Sequence, residues 1–347
     1  MTMKRMRMIL AFVAVMSLAL SCGGEEQPMT TIDPKLQHLA DSILTSYVSS
    51  VRAESVYVIA LGTDGRVLSL FSWAMANGQS DNCGAPFIRP AGLFQPVLIA
   101  SAMADGTLTE SRLPIGAGMC RHMSSPDSRL LWLRFATRDT LFGIWDGLAL
   151  DSRYLTARAA SSYESTESFE RRLRNWFPHS ISVIPINTTP QERERYFMET
   201  FLGETTMVPA DELAAFYGAL ANHGRLSAPT TTAEDQHSTR EIIPESVADS
   251  LTAYLRRITI LPYSTSYVSG LKFSVAGKSG SLDVPTSDGD GILSTFVGTF
   301  DLFGHGPVTL LVSITLHPGY DRPYSSSQRV FERVARCIWE TCNNKEE

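Results

Sequence analysis

The sequence predicts an α+β domain: one five-stranded antiparallel sheet formed by both chain ends and flanked by helices, with a large helical insert between the halves. Three observations predict it. Strand-type segments fall into two groups, at 55–71 and at 273–316. The stretch between them, about 107–255, carries mostly helical patterns and polar connections. An amphipathic segment stands outside each strand group, so the order runs helix, two strands, insert, three strands, helix.

The first helix begins at Asp33-Pro34, a capping residue followed by proline at the first helical position. Leu36, Leu39, Ile43, Leu44, Tyr47, Val48 and Val51 then recur at helical spacing, which gives one buried face. Ser55 to Leu61 and Val67 to Phe71 flank Gly62-Thr63-Asp64-Gly65, a hairpin signal. A helix is expected from about Leu93 to Ala104, after Pro90 and before Gly106. Within the insert the clearest helices are 169–176 and 211–220, and the Ser/Thr-rich stretch from Ser227 to Thr239 reads as a loop. Strands return at Phe273 to Gly280, Ser294 to Phe300 and Val308 to Leu316. Ser325 to Thr341 closes the chain as a helix with Val330, Phe331, Val334 and Ile338 on one face. Asp288-Gly289-Asp290-Gly291 lacks the later acidic ligand of a calcium loop and reads as a hairpin turn.

A chain of 347 residues, 44% hydrophobic, has enough apolar material for one large domain. Lys4, Arg5 and Arg7 precede an apolar run from Met8 to Leu20, followed by Ser21-Cys22-Gly23-Gly24, the layout of a secretory signal. The Leu18-Ala19-Leu20-Ser21-Cys22 junction resembles a bacterial lipoprotein signal, which implies cleavage before Cys22, lipidation of its sulfur and attachment to a membrane of the cell envelope. The expected organisation is a signal peptide over 1–21, a polar linker over 22–32 and a single domain over 33–347. Removing 1–21 takes away three positive charges and no negative ones, moving the net charge from -6 to -9 and arguing against nucleic acid as a partner. Four further cysteines permit disulfides in an exported chain, with three possible pairings. Cys83 with Cys120 and Cys337 with Cys342 is the arrangement expected. No C-x-x-C or H-x-x-x-H spacing occurs and the seven histidines are scattered, so neither a metal nor a cofactor is expected.

The sharpest chemical signal is Val275-Ala276-Gly277-Lys278-Ser279-Gly280-Ser281. Small residues on a strand let a ligand backbone approach and pair, and a lysine in the same row supplies positive charge. This run, the Ser294-Thr295-Phe296-Val297-Gly298 strand after it and the closing helix resemble the last segment of penicillin-binding protein transpeptidase domains, where K-T-G or K-S-G precedes a W/T-F-V-G strand. Tyr217-Gly218-Ala219-Leu220-Ala221-Asn222-His223-Gly224 resembles that family's Y-A-x-x-A-N-G-G helix end, and residues 201–210 its G-Q-G-x-x-x-T-P run. The hairpin Thr63-Asp64-Gly65-Arg66-Val67-Leu68 is similar to K-T-G-E-I-L. Together these motifs span most of residues 55–340 and imply a transpeptidase/β-lactamase-like fold.

In that family three motifs carry the chemistry. The first, S-x-x-K at a helix start, sits inside P-G-S-T-F-K-P; serine and lysine three apart share a helical face, so the amine can take the hydroxyl proton and the oxygen can attack a carbonyl. Here Pro90-Ala91-Gly92-Leu93-Phe94-Gln95-Pro96 keeps the frame but places Gly92 at the serine and Gln95 at the lysine. Glycine has no nucleophile, and an amide is no useful base. Of the five lysines only Lys272 has a serine three before it, in Ser269-Gly270-Leu271-Lys272, which leads into the K-S-G strand where residues three apart face opposite ways. For the second motif, S-x-N, the best match is Ser161-Ser162-Tyr163, with Tyr163 replacing the asparagine; Ser152-Arg153-Tyr154 is a poorer one. The third stands as Lys278-Ser279-Gly280, whose lysine and hydroxyl the resemblance assigns to a substrate carboxylate, with the NH of Ser281 in the oxyanion hole.

Loss of a serine nucleophile from a comparable acyl-transfer site costs on the order of 10⁶ in turnover, or roughly 8 kcal/mol of barrier. The expectation is a catalytically degenerate envelope lipoprotein, with no intact catalytic residue, that binds a peptidoglycan stem peptide or a cell-wall synthesis protein. Ser161, Lys278, Ser279, Gly280 and Ser281 are its candidate ligand-binding residues. An active D,D-transpeptidase, carboxypeptidase or β-lactam-binding enzyme with another nucleophile, and a purely structural lipoprotein, are the alternatives.

Overall fold

The computed structural model describes residues 30–51, 53–76, 78–79, 84–108, 112–114, 141–152, 155–156, 159, 166–182, 189, 199–233, 238–319 and 323–343. Helix α1 (Pro34–Ser50) starts as the sequence predicts: Asp33 accepts hydrogen bonds from the backbone NH groups of Lys35 and Leu36 at 2.8 and 3.2 Å. It leads into β1 (Ala53–Gly62) and β2 (Val67–Ala74), joined by the expected hairpin, and then β3 (Gly78–Gln79). The other half of the sheet is β4 (Ala276–Thr286), β5 (Gly289–Leu302) and β6 (Gly306–Leu316). The order is β4-β5-β6-β1-β2-β3, antiparallel throughout, with the two-residue β3 at one edge of the five long strands. Pairing of β1 with β6, Val58 opposite Val312, joins the two ends of the chain.

The strand period of two puts alternate residues on opposite faces, and each face buries its own core. Val56, Val58 and Ala60 pack with α1 and the closing helix α7 (Pro323–Asn343); Tyr57, Ile59 and Leu61 join the core of the insert. The insert core is built on α2 (Phe94–Ala104), buried from Phe94 to Ala102, with α3 (Ile144–Ala149), α4 (Thr166–Trp176), α5 (Ala210–Ala221) and α6 (Glu245–Thr259) around it.

Two expectations need correction. The strand expected from Phe273 begins only at Ala276, because Phe273 stacks on Trp339 of α7 at 5.3 Å and contacts Phe300 at 5.0 Å, drawing the chain across the outer helix. Ser269–Lys272 therefore lies in an irregular segment ahead of the strand, with Lys272 exposed. The expected Cys337–Cys342 bridge does not form: Cys337 carries a free thiol, and the two cysteines stand five residues apart on α7. Five residues of helix rise roughly 7.5 Å, beyond the Cα separation a disulfide spans. The signal and linker through residue 29, Cys22, Cys83, Cys120 and Ser161-Ser162-Tyr163 lie outside the described residues. Among the described residues no helix is long and apolar enough to cross a membrane.

Candidate functional site

The site forms where the turn before α2 meets strand β4. Pro90 leads into a single 3₁₀ turn, Ala91–Leu93, and Ala91 holds a positive φ of 46°, a conformation a residue with a Cβ adopts only when its surroundings enforce it. Three contacts enforce it. The Ala91 NH donates to the Gly203 carbonyl at 3.1 Å, the Tyr217 hydroxyl donates to the Leu93 carbonyl at 3.0 Å, and β4 lies against the turn at Gly280. A Cβ at Gly280 would come 2.8 Å from the Pro90 carbonyl oxygen, so this strand position accepts only glycine at that spacing. The motif residues at 90–96, 201–210, 217 and 278–281 thus meet at one place in the fold.

Asp151 fills the space in front of Gly92. A Cβ added to Gly92 would lie 2.5 and 2.8 Å from the two carboxylate oxygens of Asp151. Oδ1 of the same carboxylate accepts from Lys278 Nζ at 2.9 Å, and Nζ also donates to the Ser279 carbonyl at 2.9 Å. The Lys278 side chain is 0% exposed and that of Asp151 23%. The lysine of the K-S-G motif is therefore a buried ammonium with an internal counter-ion. Asp151 itself has φ 53°, a left-handed conformation that Asp and Asn tolerate better than most residues. Burial, and then the nearby Asp151 charge, hold the Tyr217 phenol well above its ordinary range, so it stays a neutral donor.

Gln95, which the motif resemblance sets at the position of the base, is buried and donates to the Ser152 carbonyl and to Thr156 Oγ1, both at 3.1 Å. Its Oε1 is buried with no hydrogen-bond partner among the described residues. The amide ties α2 to the segment carrying Asp151, a structural use of the position.

A strap at 264–267 closes the outer edge of β4. The Ser279 NH donates to Ser266 Oγ at 3.0 Å, and Ser279 Oγ donates to the Thr265 carbonyl at 2.9 Å. The Thr265 carbonyl also accepts from Gln328 of α7, and the Thr265 NH donates to Ala149 of α3 at 2.8 Å. The strap thereby links insert, sheet edge and outer helix across the cleft. Ser279, also buried, has both its NH and its hydroxyl engaged by protein.

Of the residues singled out from the sequence, Gly92, Gln95, Lys278, Ser279 and Gly280 converge here, and Ser281 continues the same strand, partly exposed. Sequence reasoning missed Asp151, Thr156 and the strap. One signal pointed to Asp151: it immediately precedes the poorer second-motif match at Ser152, and a lysine embedded among small strand residues needs an anionic partner if it is buried.

No protein-family model matches the sequence, and no curated protein matches it. Solved structures do match. A peptidoglycan glycosyltransferase from Burkholderia ambifaria is similar over 91% of this chain and 98% of its own, with 17% identity and a TM-score of 0.67. The transpeptidase domain of penicillin-binding protein 3 from Burkholderia pseudomallei shares 17% identity over 91% of this chain and 95% of its own, with a TM-score of 0.65. The transpeptidase domain of the FtsI4 D,D-transpeptidase from Legionella pneumophila gives 17%, 89%, 98% and 0.61 for the same quantities. The chain has the fold of penicillin-binding protein transpeptidase domains.

Proposed function

We propose that this protein is a non-catalytic member of the transpeptidase fold that works in the bacterial cell envelope, held to a membrane through a lipidated Cys22, by binding a protein of the cell-wall machinery. One observation carries the loss of chemistry: the Asp151 carboxylate, paired with Lys278, occupies the space of the missing nucleophile beside Gly92. An acyl-transfer site needs a nucleophile, a base and a free oxyanion pocket. Here the first two are Gly92 and Gln95, and the motif lysine already has its anion. The occupied cleft also favours a protein partner over a stem peptide. Lys278 has no exposed surface for a substrate carboxylate, and the strand edge at Ser279 is bonded to the strap. Around the closed cleft Leu150, Tyr263 and Tyr267 present apolar surface at 60%, 55% and 38% exposure, and tyrosine is enriched in protein contacts.

The test is D-alanine release from a synthetic stem pentapeptide, together with direct titration of that peptide. The proposal expects no turnover above the peptide alone and no saturable binding at millimolar peptide. Release of D-alanine would overturn the loss of chemistry. Saturable binding lost in Lys278→Ala would restore the stem peptide as the ligand.

A further inference from the structure

Three potential metal ligands that take no part in the cleft meet where α5 turns towards α6. His223 follows the end of α5, and Glu245 and Asp249 lie one helical turn apart at the start of α6. His223 Nδ1 is 2.9 Å from Asp249 Oδ1 and 3.5 Å from Glu245 Oε1, and the three ligand atoms all lie within 4.8 Å of one another. We infer that His223, Glu245 and Asp249 form a binding site for a divalent first-row transition ion of the zinc class.

The spacing supports this. Around an ion at the roughly 2.0–2.1 Å typical of zinc with histidine and carboxylate ligands, neighbouring ligand atoms stand about 2.9–3.4 Å apart. The two distances from Nδ1 match that range within a tenth of an ångström or so. One neutral imidazole and two carboxylates balance a dication, and the ion would replace the Nδ1 proton now shared with Asp249. The nitrogen ligand selects the class: imidazole suits zinc, nickel, cobalt and copper, whereas magnesium and calcium take oxygen. All three side chains are more than half exposed, so water can complete the coordination shell.

The site is also pre-formed. Two neighbouring carboxylates one turn apart on a helix repel each other, a cost that a bridging cation removes. Their position relative to His223 is fixed by buried contacts: Thr252 Oγ1 of α6 donates to the Leu220 carbonyl of α5 at 2.9 Å, and Leu251 and Leu220 share the insert core. The turn itself is rigid. The Gly224 NH donates to the Ala219 carbonyl at 2.8 Å, the Ile242 NH donates to the Gly224 carbonyl at 2.9 Å, and a Cβ at Gly224 would collide with the Ile243 carbonyl. Motif spacing gives no sign of such a site because its ligands come from the turn after α5 and from α6, more than twenty residues apart.

The experiment is titration of chelator-treated mature protein with Zn²⁺ by calorimetry, for wild type, His223→Ala and Asp249→Asn, with Co²⁺ absorption reporting the coordination shell. One Zn²⁺ per wild-type chain is expected, weakened at least about tenfold in each variant, the smaller end of the loss that even an outer-shell change brings. Excess Mg²⁺ should not displace it. Far-UV circular dichroism of the metal-free variants checks that the fold is kept; should His223→Ala fail to fold, Asp249→Asn decides. Equal Zn²⁺ binding in wild type and folded variants, displacement by Mg²⁺, or no binding at millimolar Zn²⁺ would each overturn the inference.

Discussion

Asp151→Asn tests the ion pair that fills the cleft. Asparagine keeps the size of the side chain and tolerates the φ of 53° at this position, so the substitution removes the charge with little added backbone strain. At 2.9 Å a unit-charge pair interacts by about 6 kcal/mol at an effective dielectric constant of about 20. Breaking one side of a buried pair costs roughly 3–5 kcal/mol, because it leaves the other charge unpaired. Lys278 has no solvent access, but Asp151 is 23% exposed and the asparagine carbonyl can still accept a hydrogen bond. Both facts place the loss towards the lower end, about 2–4 kcal/mol. For a domain of roughly 300 residues, unfolding entropy near 2.1 cal/mol/K per residue turns this into a fall of about 3–6 °C in melting temperature. The assay is calorimetric melting of wild type, Asp151→Asn, Lys278→Met and the double variant. Removing both charges removes the orphan, so the double variant should melt above Asp151→Asn. A single variant that melts with wild type, or a double variant no better than the single, would refute the buried-pair reasoning.

Gly92→Ser, which restores a hydroxyl to the motif, is expected to destabilise the fold by about 1–3 kcal/mol, since its Cβ meets the Asp151 carboxylate at 2.5 Å; because both changes act on that contact, the loss in the double variant with Asp151→Gly should fall short of the sum of the two single losses in thermal melts. His179 gives a pH dependence. Its pKa is raised, first by its hydrogen bond to Glu212, so its contribution is full below its unfolded value near 6.5 and is lost as pH rises through the higher folded value. Burial is the leading cause that raises Asp211 and Glu212, so the folded state favours their protonated forms and works in the same direction. The melting temperature should therefore rise as pH falls through the raised folded value of His179 towards its unfolded value near 6.5, and less so in His179→Gln. An identical pH profile in the variant would contradict the assignment to His179.

Much of the fold was legible because the relevant signals are local. The cap at Asp33, the Gly62–Gly65 turn, the apolar strand runs at 55–61 and 308–316 and the stripe on α7 each act within a few residues, and each element formed where it was expected. The late start of β4 was not legible, because it follows from Phe273 meeting Trp339 and Phe300 across the tertiary structure. The pairing expected between Cys337 and Cys342 came from counting cysteines, and helical geometry overrode it. At the site the identities of Gly92 and Gln95 could be read directly, since they need no partner to be recognised. What lies against them could not. Asp151 reaches Lys278 across 127 residues, and the strap at 264–267 reaches Ser279 through the Ser266 hydroxyl and the Thr265 carbonyl, neither of which carries a sequence signature.

The measurement that tests the central claim most directly is intact mass after incubation with a penicillin. A serine transpeptidase would be acylated and gain the mass of the antibiotic, one adduct per chain. With Gly92 at the nucleophile position and the Asp151–Lys278 pair in front of it, the predicted result is an unchanged mass at saturating penicillin and long incubation. A stoichiometric covalent adduct, on any residue of the cleft, would contradict the account.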